Sequence, residues 1–165
     1  MLDRQAISRI VRHVGADILA HGHMQLEREA YQHGAVTTYE HSVRVAELAV
    51  WLADRLHLWH RVDLRSLVRA ALLHDYFLYD WHERGDGSHR LHGFRHPARA
   101  ERNARADFDL NDVEADSIRR HMFPLTPIPP RYLEGVLVNV ADKISATAET
   151  LSPQRFSRHR SGSRR

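Results

Sequence analysis

Residues 70–75 read Ala-Ala-Leu-Leu-His-Asp, an apolar run that ends in two adjacent ionisable side chains. A chain that buries Leu72 and Leu73 carries His74 and Asp75 toward its interior with them. A carboxylate or imidazole in such surroundings is costly unless it is hydrogen-bonded, paired or bound to a cation. A second position of this kind lies downstream. Asp142 sits within Val138-Asn-Val-Ala-Asp-Lys143, where Val136, Leu137, Val140 and Ala141 look mostly buried. His41, one turn into an Ala- and Val-rich segment, is a third. The fold therefore has to gather distant segments so that each buried polar group meets a partner.

The apolar spacing predicts helices throughout. Ala6, Ile7, Ile10, Val11, Val14, Ile18 and Leu19 recur at helical intervals and give an amphipathic first helix. Gly22 and Gly34 punctuate a second, shorter one. Thr37-Thr-Tyr-Glu40 matches a capping box and opens a long helix with Val43, Ala46, Ala49, Val50, Ala53 and Leu56 on one side. Asp63 can cap the next, whose stripe is Leu64, Leu67, Val68, Ala71 and Leu72. Gly85, Gly87 and Gly93 mark a polar loop. Pro97 fits the first turn of a helix running to about Phe108. Asn111-Asp-Val-Glu114 is a second capping signature, for a helix ending near Met122. Pro124, Pro127, Pro129 and Pro130 impose an irregular crossing before a last helix from about Tyr132 to Leu151. No run alternates with period two for long enough to suggest a sheet. The expected fold is all-α, a compact bundle of about six to seven helices.

Composition narrows the chemistry. The 165 residues contain no cysteine, so a buried metal would have to be held by His, Asp and Glu. There are 14 histidines, spread along the chain rather than in a tag. Neutral imidazole and carboxylate suit Mn, Fe, Ni, Co, Zn or Mg. The net charge of +3 and pI near 9.7 do not argue for nucleic acid, because acids and arginines are interleaved. The tail from Arg155 to Arg165 carries five arginines and no acid, which reads as a basic disordered end. Lys143, beside Asp142, is the only lysine. Met1-Leu-Asp-Arg-Gln lacks the pattern of a signal peptide, and no apolar stretch reaches membrane-spanning length. The default expectation is a cytoplasmic protein with no membrane partner. Its parts are expected to be an N-terminal helical segment over 1–35, a metal-binding domain over 36–151 and the tail over 152–165. The first helix either packs on that domain or builds a homodimer.

The order His41, His74-Asp75, Asp142 resembles the HD-domain superfamily of metal-dependent phosphohydrolases, over about residues 36 to 150. His41-Ser42 opens the Ala- and Val-rich helix. Ala71-Leu-Leu-His-Asp75 looks like the central signature, His96-Pro97 follows a Gly-containing loop, and Ala141-Asp-Lys-Ile-Ser-Ala146 looks like the closing signature. The stretches His74–Trp81, Leu91–Pro97 and Arg120–Thr126 are similar to small stand-alone bacterial members. The resemblance implies that His41, His74, Asp75 and Asp142 hold a first divalent metal. His96 and His121 match positions that bind a second in binuclear members, with Asp75 bridging. It places His96 at a helix N-cap and His121 at a helix C-terminus.

By the same resemblance, the expected reaction is hydrolysis of a phosphate ester of a nucleotide or another small phosphorylated metabolite. Asp75 and Lys143 are the expected catalytic groups, the latter balancing charge on a phosphate. His92, Arg44 and Arg95 are weaker candidates for substrate contact, with Asp80 and His82 behind them. Tyr76, Phe77, Tyr79 and Trp81 could line a pocket for a ring, or belong to the core. Tyr76, Phe77 and Leu78 stand where cyclic-dinucleotide phosphodiesterases of the HD-GYP type have Gly and Lys. Met122 stands where those enzymes have a second His, so a cyclic dinucleotide is not favoured. Two alternatives share the ligand set: an HD-fold di-iron oxygenase, and a non-catalytic nucleotide-sensing module that binds metal.

Overall fold

Four polar side chains fix where helices start. Asp3 accepts from the Ala6 N–H at 2.7 Å. Asp63 accepts from the Ser66 N–H at 2.6 Å. Thr37 with Glu40, and Asn111 with Glu114, each form a reciprocal capping box. A cap of this kind contributes about 1 kcal/mol by satisfying donors the first turn leaves open. The computed structural model describes residues 1–28, 31–33, 36–76 and 92–151, and the side chains of all of these except 31–33 and 92–95.

Eight helices occur among the described residues: α1 (Arg4–Val14), α2 (Ala16–Ala20), α3 (Gly22–Leu26), α4 (Thr38–Arg55), α5 (Leu64–Leu73), α6 (His92–Asp107), α7 (Asp112–Arg120) and α8 (Leu133–Leu151). The all-helical bundle expected from the spacing is the architecture found. It carries one short addition, an antiparallel pair of β1 (Tyr31–His33) and β2 (Val36–Thr37) ahead of α4. Two strands this short carry too few residues for an alternating pattern to register.

The single first helix expected over Ala6–Leu19 is divided at Gly15. Its backbone leaves the helical region at φ −95° and ψ 15°, while its N–H still bonds the Val11 carbonyl. A Cβ at Gly15 would collide with the Leu72 side chain, so the glycine lets the α1–α2 junction lie close against α5. Pro97 also differs from expectation. The helix begins at His92, so Pro97 lies in its second turn and His96 lies inside the helix rather than at its N-cap. Pro97 removes one N–H from that ladder.

α5 is the axis of the molecule. Ser66 through Leu73 are all buried, and α4, α7, α8, α6 and α1 pack around them. Small residues on the surrounding faces, including Ala46, Ala49, Ala53 and Ala141, are fully buried and let the backbones approach. Gly135 of α8 serves the same purpose, since a Cβ there would stand 2.8 Å from Pro130 Cβ and 3.1 Å from Ser117 Oγ. Around Asp142 only part of the expected burial holds. Leu137 and Ala141 are buried, but Val136 and Val140 are 43% and 39% exposed, because α8 turns one face outward. No helix among the described residues is long and apolar enough to cross a membrane.

Candidate metal centre

Because α5 is enclosed on every side, the residues at its C-terminal end are delivered to the middle of the protein. His74 is its C-cap, with Asp75 next, and they are 0% and 3% exposed. Four other elements point toward them. α4 supplies His41 from its first turn, α6 supplies His96, the C-cap of α7 is His121, and α8 supplies Asp142 from its middle. All four are buried.

The six side chains fall into two groups of three whose ligating atoms lie within 4.8 Å of one another: His41, His74 and Asp142, and Asp75, His96 and His121. Asp75 faces both. Its Oδ2 is 3.4 Å from His74 Nε2 and 3.9 Å from His41 Nε2. Its Oδ1 is 3.2 Å from His96 Nε2 and 3.6 Å from His121 Nε2. Asp142 Oδ1 is 3.1 Å from His41 Nε2 and 3.7 Å from His74 Nε2.

The outer nitrogens define which atoms face inward. Nδ1 of His74 lies 2.8 Å from the Ala71 carbonyl, and Nδ1 of His121 lies 2.8 Å from the Ile118 carbonyl. A carbonyl only accepts, so both Nδ1 atoms carry hydrogen and a neutral ring turns the Nε2 lone pair into the cluster. His74 Nε2 is buried and makes no well-formed hydrogen bond among the described residues. His41 Nδ1 donates to Glu149 Oε2 at 2.9 Å, while its Nε2 faces the Asp142 carboxylate. An imidazole between two carboxylates needs a proton on each nitrogen, or a cation in place of one of them.

The electrostatics have the same origin. Burial disfavours the charged ring of His41, but Asp142, Glu149 and Asp75 outweigh it and raise its pKa to about 10. His121 goes the other way. Burial, reinforced by His96 and His74, pushes it down to about 3. Burial opposes ionisation of Asp142 and Asp75. His41 and His74 nevertheless hold the first carboxyl below its usual range, and His74 with His96 holds the second there. A buried histidine nitrogen facing two carboxylates without a well-formed hydrogen bond, and outer-nitrogen hydrogen bonds that fix ring orientation, suit divalent cations with N and O ligands.

Sequence reasoning missed Glu149. It lies seven residues beyond Asp142, on the same face of α8, and that spacing was the available signal. Its carboxylate joins His41 Nδ1 to the Arg44 guanidinium, 3.2 Å from its Oε1. Arg44 therefore sits behind the cluster, engaged with Glu149. Lys143 is exposed as a residue, and its ammonium donates to the His121 carbonyl at 3.3 Å. Burial of that end lowers its pKa despite Asp142. Asn139, one turn before Lys143, donates to the carbonyls of His121 and Phe123 and fixes the turn that presents the His121 ring. Tyr76 is core, 1% exposed, with its hydroxyl on Asp107 at 2.9 Å. The backbones of His92 and Arg95 belong to α6, but their side chains lie outside those described. So do Phe77, Leu78, Tyr79, Asp80, Trp81 and His82, the loop glycines 85 and 87, and the tail over 152–165.

Comparison with protein-family models matches residues 38–147 to the HD domain, a span that contains all six clustered side chains. No curated protein and no solved structure matches the chain. The matched span is most of the chain and includes the paired His74-Asp75 at its centre, so this protein belongs to the HD-domain superfamily, whose members are generally metal-dependent phosphohydrolases.

Proposed function

We propose that the protein hydrolyses a phosphate ester of a nucleotide or another small phosphorylated metabolite. The observation that carries this reading is the placement of Asp75, which turns one oxygen toward each of two buried three-residue groups. His41, His74 and Asp142 would hold one divalent cation and His96 and His121 a second, with Asp75 shared. Two nearby cations repel, and a shared carboxylate reduces that repulsion. When bound, such cations lower the pKa of water and polarise phosphoryl oxygens.

The chain supplies the rest. Backbone carbonyls of Ala71 and Ile118 hold His74 and His121 in one orientation. Glu149 holds His41 and, through Arg44, ties it to the surface. The side chains of Asp142 and His96, 12% and 6% accessible, form the edge of the cluster that meets solvent. Lys143 follows Asp142, and its ammonium, which donates to the His121 carbonyl, would balance charge on an incoming phosphate.

The test is a screen of phosphorylated metabolites with added Mn, Ni, Co or Mg, comparing the natural protein with Asp75→Ala. The reading expects metal-dependent release of phosphate that falls to background in the variant. An unchanged rate in Asp75→Ala would remove the catalytic assignment. Two bound irons with substrate-dependent oxygen uptake would replace the hydrolase reading with an oxygenase one.

A further inference from the structure

A second group of metal-ligating side chains lies outside the buried centre. His21 links α2 to α3, His23 is the second residue of α3, and Asp107 is the last residue of α6. One ligating atom from each lies within 4.8 Å of the other two. His23 Nδ1 is 2.6 Å from Asp107 Oδ2, and His21 Nδ1 is 4.0 Å from that same oxygen. In a tetrahedral zinc site, with metal–ligand bonds near 2.0–2.2 Å, ligand atoms stand roughly 3.3 Å apart. The two observed distances bracket that value, so small side-chain rotations would open one gap and close the other.

Three further observations point to a cation here. Asp107 is anionic at the C-terminal end of a 16-residue helix, where the helix dipole is already negative. Its carboxylate is held from below by the buried Tyr76 hydroxyl at 2.9 Å, which also stands 3.2 Å from His21 Nδ1. The His21 ring is oriented by the His23 N–H, which donates to its Nδ1 at 3.4 Å, and by the edge of Phe108, 4.9 Å between centroids. The ligands are thus oriented from the protein side and open to solvent on the other. Side-chain accessibility rises from 15% at Asp107 to 33% at His21 and 50% at His23.

We propose that His21, His23 and Asp107 bind a zinc-class divalent cation with a fourth position left to solvent. This site is separate from the buried centre and does not depend on what reaction that centre performs. It would clasp the N-terminal helices to α6, the helix that carries His96, and would hold Tyr76 in place directly after Asp75. The competing account is a plain His23–Asp107 ion pair, which binds no metal.

Full-length protein stripped with a chelator would be titrated with zinc against a chromophoric competitor. The natural sequence would be compared with His21→Ala/His23→Ala and with Asp75→Asn/Asp142→Asn. The proposal expects the first variant to lose one zinc equivalent and the second to retain that equivalent. The two histidine side chains are 33% and 50% accessible, so the first variant is expected to keep its fold, which circular dichroism would check. The same number of equivalents at the same affinity in the natural protein and in His21→Ala/His23→Ala would overturn the proposal. That outcome would leave the buried centre's assignment untouched.

Discussion

Two regions of this protein bury charge, and they do so in opposite ways. Beside α5, Arg69 is 2% exposed and donates to Glu114 at 2.9 Å and to Asp17. Glu114 is 0% exposed, and it also accepts from Arg65 and closes the Asn111 capping box. Every contact there joins a donor to an acceptor. Around His74-Asp75 the inward atoms are carboxylate oxygens and imidazole nitrogens. Among the described residues His74 Nε2 makes no well-formed hydrogen bond, with the Asp75 and Asp142 carboxylates 3.4 and 3.7 Å away. The first region is complete as protein. The second is a set of ligands facing one another, and it is complete only with protons or cations between them. Buried charge alone does not mark a functional site; the sign of what each atom faces does.

The contrast can be broken first by cutting each region separately. Glu114→Ala should destabilise the protein by about 3–5 kcal/mol, because it leaves the Arg69 guanidinium buried beside Asp17 alone. Denaturant unfolding measures the loss, and metal affinity of the folded fraction should be unchanged. A similar loss of metal affinity would show that the two regions are one.

Glu149→Gln probes the support of the buried centre. The carboxylate behind His41 should matter to ligand orientation and basicity, so metal affinity should fall by about 10–100-fold. The fold should persist, since an amide can still accept from His41 Nδ1. Competition against a metal indicator would read the change, and an unaltered affinity would make Glu149 a packing residue only.

A third test is in protons. His41, raised to about 10 in the metal-free protein, is protonated at pH 7, yet a ligand needs its Nε2 lone pair. Metal loading at pH 7 should therefore release about one proton from this ring, seen calorimetrically as a dependence on buffer ionisation enthalpy. The stability consequence has a definite sign. His41's folded pKa lies above its ordinary 6.5, so its contribution is fully present below 6.5 and fades as pH rises toward 10. His121, lowered to about 3, contributes above 6.5 and loses that contribution as pH falls toward 3. Between 6.5 and 10 the metal-free protein should weaken while metal affinity rises. A parallel rise of both would contradict the assignment of His41.

Much of this was legible in the sequence, for identifiable reasons. Thr37 and Asn111 cap where their spacing to Glu40 and Glu114 said they would, and Asp63 caps the helix whose apolar stripe follows it. The apolar run before His74 announced a buried helix. Other features depend on contacts that spacing cannot encode. Gly15 has no room for a side chain because Leu72 approaches from another helix. Pro97 follows a helix start that local preference places later. The spacing of Glu149 from Asp142 could show a shared face of α8 but not its partner His41 on α4, and His21 and Asp107 meet across 86 positions of chain. His41, His74, Asp75 and Asp142 were visible as polar residues in apolar runs, whereas His96 and His121, in polar stretches, came only from the family resemblance. That Asp75 stands between two groups was implied by the family resemblance; the structure adds which oxygen faces which group.

The most direct test of the central claim is equilibrium metal binding to chelator-stripped protein, comparing the natural sequence with the near-isosteric Asp75→Asn/Asp142→Asn. The account predicts that the natural protein binds one or two more divalent ions per chain than the variant, with both proteins folded. Equal metal content in the two would mean that the buried cluster holds protons rather than cations, and the phosphohydrolase reading would fall with it.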